Sequence, residues 1–243
     1  MFEAAPDGAV SSRHRRPDVL LLDFGGTLDA DGVHWVPRLL ATYREQGGEA
    51  PAPEFDAAFH DGHQAFGASP GIRSLGFRET VHGLTEAILR RLPDAGRVDA
   101  ARVAERFRVD AAATAARNLP ILERLARRHR VAAISNFTGN LEPCLEELGL
   151  LHCFDAVVDS GRFGVAKPDE RIFAEGLRAL GANGGNAWMV GDNPVADIAP
   201  ALRMGLRACW VAPAEREFPL PEAPTARVPR FVDLESALAS CTD

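Results

Sequence analysis

The stretch VLLLDFGGTL, residues 19–28, sets the reading of the whole chain. It opens with an apolar run of strand length and no polar alternation, the pattern of a strand buried on both faces. The run ends in Asp23, two glycines, Gly25 and Gly26, and Thr27. In open α/β sheets, ligands bind beyond the carboxyl ends of the strands. Glycines there let backbone amides face an anion at close range.

Four more strand-length runs follow: VAAIS (131–135), DAVVDS (155–160), AWMVGD (187–192) and ACWVA (208–212). Helical patterns separate them. LPILERLARRH (119–129) ends in basic residues, which suit a helix C-terminus. LEPCLEELG (141–149) ends in glycine, and PDERIFAEGLRALG (168–181) starts with proline and acids and ends in glycine. This alternation predicts an α/β fold with a doubly wound parallel sheet.

Residues 31–117 show no buried strand, only helical stretches such as WVPRLLATYREQG, EFDAAFHDGHQAF, RETVHGLTEAILRRL and DAARVAERFRVDAAATAAR. A connection this long is not a loop. The expected organisation is a disordered tail over 1–17, an α/β core from 18–30 and 118–243, and a helical cap over 31–117. GASPGIRSLG (67–76) reads as a turn or specificity loop in the cap, and the proline-rich 212–230 as a surface excursion before a last strand, FVDL (231–234).

The chain has 243 residues, 46% hydrophobic and 25% charged, with a net charge of −7. Nucleic-acid-binding surfaces usually carry a basic excess, so the expectation is no nucleic-acid partner. No apolar run approaches the ~20 residues of a membrane span, and the N-terminal stretch lacks the apolar segment of a secretory signal. Cys144, Cys153, Cys209 and Cys241 form no CxxC pair, so they read as buried thiols of a reducing cytoplasm rather than as a zinc site.

The strands end in chemistry-bearing residues: Asp23 and Thr27, then Ser135 and Asn136, then Asp192 with Asp197 five residues on. If the strands are neighbours, Asp23, Ser135 and Asp192 converge. Carboxylates side by side repel and call for a cation, and an all-oxygen set suits Mg²⁺. An aspartate can also act as a nucleophile in phosphoryl transfer, with Ser135 donating to a phosphoryl oxygen. Lys167 is the only lysine among 27 basic side chains. Its compact ammonium can approach a carboxylate and a phosphoryl group together, where a planar guanidinium fixes different geometry.

In order, DFGGTL, ISN, GVAKPDERIF and VGDNPVADIAPALRMGL resemble the four motifs of the haloacid dehalogenase-like hydrolase superfamily. The 112-residue gap from Asp23 to Ser135 fits that family's inserted helical cap. The resemblance implies a Rossmann-like core, a mobile cap, Mg²⁺ and a small phosphorylated substrate. It makes Asp23 the nucleophile and, with the Gly25 carbonyl, Asp192 and Asp197, part of the metal site. Ser135 and Lys167 would hold the phosphate, with Gly26, Thr27, Asn136 and Arg38 nearby on the substrate side.

The first motif departs from the family's phosphatases, which usually read DxDxT: the second aspartate, a general acid and base, is Gly25 here. Such catalysis is worth about 10²–10⁴-fold. Three readings follow. One is a phosphatase with a substitute proton donor, for which Asp29, Asp31, His34 and Tyr43 are candidates, or with a good leaving group. One is a 2-haloacid dehalogenase, which the retained Asp192 disfavours. One is a binding or regulatory protein without turnover. Arg38, Arg44, Arg73 and Arg78 are the cap cations suited to a carboxylate or second phosphate.

Overall fold

The computed structural model describes residues 19–241; the expected tail, 1–17, lies outside the described residues, as do 18, 242 and 243. Strand β1 (Val19–Leu22) leads into four helices, α1 (Trp35–Glu45), α2 (Ala52–Gly67), α3 (Phe77–Leu89) and α4 (Ala100–Ala126), before β2 (Arg130–Ser135). Then come α5 (Leu141–Glu147), β3 (Ala156–Asp159), α6 (Ser160–Phe163), α7 (Glu170–Ala179), β4 (Ala187–Gly191) and α8 (Ala199–Arg203). The chain closes with β5 (Arg207–Val211), β6 (Ala226–Val228) and α9 (Leu234–Ser240).

All six strands are parallel, in the order β3-β2-β1-β4-β5-β6. The chain leaves β1 toward β2 on one side and later returns to β4 on the other. The crevice of such a sheet opens where the order reverses, at the carboxyl end of β1. Leu20, Leu22, Ala133, Trp188 and Val190 pack on one face, and Leu21, Ala132, Ile134 and Met189 on the other. Both faces are covered, which is why the strand sequences show no alternation.

The four-helix insert is welded to the sheet rather than hung from it. Phe24 at the end of β1 meets Trp35, Phe77 and Phe137 edge to face, at centroid distances of 6.5, 6.1 and 5.9 Å. A buried polar clamp adds direction. Asn140 donates to the Thr80 hydroxyl (2.6 Å) and the Leu75 carbonyl (2.9 Å), and accepts from Thr138 (2.6 Å). Asp159 holds that loop by accepting from the backbone of Gly139, Leu141 and Gly161. Burial raises its carboxyl above the usual range against those three bonds.

Two expectations are corrected. FVDL is not a strand: Phe231–Asp233 is a 3₁₀ turn opening α9, and Phe231, Leu234 and Leu238 are buried at helical spacing. The last strand is β6, inside the proline-rich stretch expected to be only surface. Three residues on a sheet edge are too short to show a period. Helix α4 also runs unbroken through 117 and 118, where the sequence predicts the end of the cap, and continues past Pro120. Residues 67–76 contain only a 3₁₀ turn, Ile72–Ser74. Among the described residues no helix is long and apolar enough to cross a membrane. All four cysteines are free, and three of them are buried.

Candidate active site

Parallel register brings the polar strand ends together. Leu22 is level with Ala133 and Val190, so Asp23 emerges between β2 and β4, its amide bonded to the Val190 carbonyl (2.9 Å). Asp23 Oδ1 accepts from Ser135 Oγ (3.0 Å) and Lys167 Nζ (2.6 Å). Asp23 Oδ2 accepts from Thr27 Oγ1 (3.1 Å), which also reaches Asp192 Oδ1 (3.3 Å). Lys167 lies 2.6 Å from Asp197 Oδ1 as an ion pair, and Asp197 Oδ2 accepts from the Asn193 amide (3.0 Å). Asn136 fixes the lysine backbone from both sides: its amide donates to the Lys167 carbonyl (2.9 Å) and its oxygen accepts the Lys167 N–H (2.7 Å).

Two glycines allow this packing. Gly26 has φ +97°, and a methyl there would fall 2.6 Å from Asp192 Oδ2. A methyl on Gly191 would overlap the Asp197 carboxylate.

The electrostatics follow from burial. Burial, then the charges of Asp23 and Asp197, push the Asp192 carboxyl well above the carboxylate range. Asp197 is pushed up to about 6, burial outweighing its ion pair with Lys167. Burial alone would depress the Lys167 ammonium, but Asp197 and Asp23 more than compensate and hold it charged. Asp23, Asp192 and Asp197 each offer an oxygen within 4.8 Å of the others. Three carboxylates face one ammonium, an excess of negative charge that one divalent cation would offset. The donor set is all oxygen, so the residues fit Mg²⁺.

Above these groups lies a cavity of about 700 Å³. Asp23, Gly25, Ser135, Asn136, Lys167, Asp192 and Asp197 line its floor. Three residues expected on the substrate side do not line it. Thr27 is fully buried and bridges two carboxylates. The Gly26 amide is taken by Asp29 Oδ1 (2.6 Å). Arg38 is held by Asp29 (2.9 Å) and stacks 4.3 Å above the Phe107 ring. Nor do Arg44, Arg73 or Arg78 line the cavity.

The candidate proton donors separate as cleanly. The Tyr43 hydroxyl donates a hydrogen bond to Asp94 (2.6 Å). Asp31 pairs with Arg117 and accepts from Asn118 (3.2 Å) and the Phe231 amide (3.1 Å). Asp29 is fully buried under Trp35 Nε1 (2.8 Å) and Arg38, its carboxyl raised by burial despite them. Only His34 of the four lines the cavity. The space a side chain would take at Gly25 is bounded by Trp35, whose Nε1 would lie 3.1 Å from a methyl there.

The opposite wall was not evident from sequence. Asp56, Phe59, His60 and His63 from α2 line it, with His34 at the start of α1 and Arg216 after β5. The spacing 56, 59, 60, 63 marks one helix face, but the same spacing describes any polar helix surface.

A haloacid dehalogenase-like hydrolase profile matches residues 17–205. The protein belongs to that family. Over 163 residues it is 32% identical to the pyrimidine 5'-nucleotidase YjjG of Escherichia coli, a match covering 65% of this chain and 70% of that protein. It is 40% identical over 88 residues to the phosphoserine phosphatase of Thermus thermophilus, covering 35% of each. The 2-haloacid dehalogenase of Pseudomonas syringae shares the fold at a TM-score of 0.53 and 22% identity, over 92% of this chain and 98% of that one. This haloacid dehalogenase-like hydrolase carries its four-helix insert between β1 and β2.

Proposed function

We propose that the protein is a cytoplasmic Mg²⁺-dependent phosphatase of a small phosphorylated metabolite, working through an aspartyl-phosphate on Asp23. The carrying observation is the convergence of Ser135 Oγ and Lys167 Nζ on one oxygen of a buried Asp23 that opens onto the cavity. The nucleotidase and phosphatase relatives support the same reading.

Asp23 attacks phosphorus, the ester P–O bond breaks, and the leaving oxygen takes up a proton. Ser135 and Lys167 transfer their hydrogen bonds from the carboxylate to the phosphoryl oxygens as the new bond forms. Water then cleaves the acyl phosphate, which releases inorganic phosphate and restores the carboxylate. Asp23, Asp192, Asp197 and the Gly25 carbonyl would hold Mg²⁺, which when bound neutralises phosphoryl charge. Asn136 keeps Lys167 aimed at the reacting oxygen. With no side chain at Gly25, His34 is the remaining donor for the leaving group; burial lowers its pKa, so only a minor fraction carries the proton at neutral pH, and good leaving groups are favoured. The insert acts as the cap that shields this chemistry from water.

Gly25 and the fold also suit a dehalogenase, but three carboxylates around one ammonium would repel a carboxylate-bearing haloacid unless a cation intervened. The test is phosphate release from phosphate esters and acyl phosphates, with and without Mg²⁺, for wild type and Asp23→Asn. Metal-dependent release that Asp23→Asn abolishes is expected. Release surviving in Asp23→Asn would sink the nucleophile assignment, and chloride release from 2-haloacids alone would replace the reading.

A further inference from the structure

Chemistry on a phosphoryl group occupies only the floor of the cavity. The wall across from it concentrates three of the chain's seven histidines. Phe59 organises them: its ring stacks on His63 (6.1 Å between centroids, 21° between planes) and meets His34 edge-on at 6.3 Å. His60 is its chain neighbour. Turned by this buried ring, the imidazoles border the same space as Lys167. Arg216 joins them from the core, spending one nitrogen on the Gly32 carbonyl (3.1 Å) and pairing with no carboxylate among the described residues. Among the described residues, the one acid on this wall is Asp56, 3.8 Å from the exposed His60.

We infer that this wall is a second anion subsite, and that the substrate is a phosphate monoester carrying a further acidic group, a carboxylate or a second phosphate. The inference rests on the phosphatase reading of the floor. Neutral imidazoles donate and accept hydrogen bonds, so hydroxyls alone would suit them without Arg216. A guanidinium that pairs with no carboxylate among the described residues, beside histidines able to gain protons, favours an anion.

The subsite has a pH signature. Burial first, then His60 and His34, lower the pKa of His63. Burial likewise lowers that of His34, against the charges of Asp23 and Asp29 and with those of Lys167 and His60. His34 and His63 are therefore poorly protonated at neutral pH. A bound anion raises these pKa values, so its binding takes up protons. The gain is complete below the free-state pKa and lost as pH rises through the pKa of the complex.

The test compares kcat/KM for phenyl phosphate and glycerol 2-phosphate with that for 2-phosphoglycolate and a sugar bisphosphate, in the Mg²⁺-loaded protein. One of the doubly anionic substrates should be preferred by about tenfold or more, one charge-assisted hydrogen bond's worth. That preference ratio should decline between about pH 5.5 and pH 8.5 and fall about tenfold in His63→Gln. The more exposed His60→Gln supplies the same readout if His63→Gln does not fold. The carboxylate and bisphosphate arms identify which anion is read. Turnover of all substrates without such a preference, or a preference that neither pH nor either substitution moves, would overturn this inference alone. No phosphate release from any of them would overturn the phosphatase reading, and this inference with it.

Discussion

On the floor of the cavity the polar groups already hold one another. Ser135, Lys167 and Thr27 all bond to Asp23, and Lys167 is pinned again by Asp197 and by Asn136. On the wall, His60 and His63 find mainly an aromatic ring and, for His60, a loose ion pair. The floor is buried, charged and over-determined, and the wall is half-exposed and adaptable. Chemistry needs groups that do not move, whereas selection among substrates needs groups that respond to what arrives. Losses on the floor should therefore be large and the same for every substrate. Losses on the wall should be smaller and depend on the substrate.

The sharpest way to break that contrast is Lys167→Met. It removes a phosphate donor and strands two buried carboxylates, and phosphate release should fall about 10²–10³-fold for good and poor substrates alike. A substrate-dependent loss in steady-state assays would move Lys167 from chemistry to recognition. Next is His34→Gln, at the border of the two regions. A proton donor's loss should cost about 10²-fold on alkyl phosphates and far less on acyl phosphates, whose leaving group needs no proton. Equal losses on both would leave His34 as part of the wall. The smallest effect belongs to the clamp between insert and core. Asn140→Ala leaves Thr80 and Thr138 without their buried partner, and should lower stability in urea denaturation by about 2 kcal/mol while turnover changes little. A loss of turnover as large as that of Lys167→Met would show that the clamp serves the chemistry.

The sheet and the floor were legible because parallel strands deliver their C-terminal residues to one edge whatever the loops do. Asp23, Ser135 and Asp192 needed only the strand assignments, and the lone lysine stood out against its arginine background. Arg38 lies off the cavity because it is held by Asp29, a partner buried by the fold and not marked by any local spacing. Thr27 and Gly26 stand beside the nucleophile in sequence, yet their bonds turn inward to Asp192 and Asp29. The histidine wall carries no sequence mark for the opposite reason. A helix face with two imidazoles looks like solvent-facing surface until another part of the chain closes the space in front of it. β6 was too short to carry any pattern at all.

Helix α4 has a mechanical consequence. Its 27 residues extend from the insert to the foot of β2, the strand that presents Ser135, about 40 Å of stiff rod. The rod has one weak joint, Pro120, which cannot donate to the carbonyl one turn back. Twenty residues separate that joint from Ala100, an arm of about 30 Å. A bend of about 5° at the joint displaces the far end by about 2.6 Å, nearly the width of a water molecule. The short arm, six residues from Pro120 to Ala126, scarcely moves. The helix is thus a lever of unequal arms, in which a small angular strain beside the sheet becomes a visible stroke at the far end of the insert while the residue at the end of β2 stays in register.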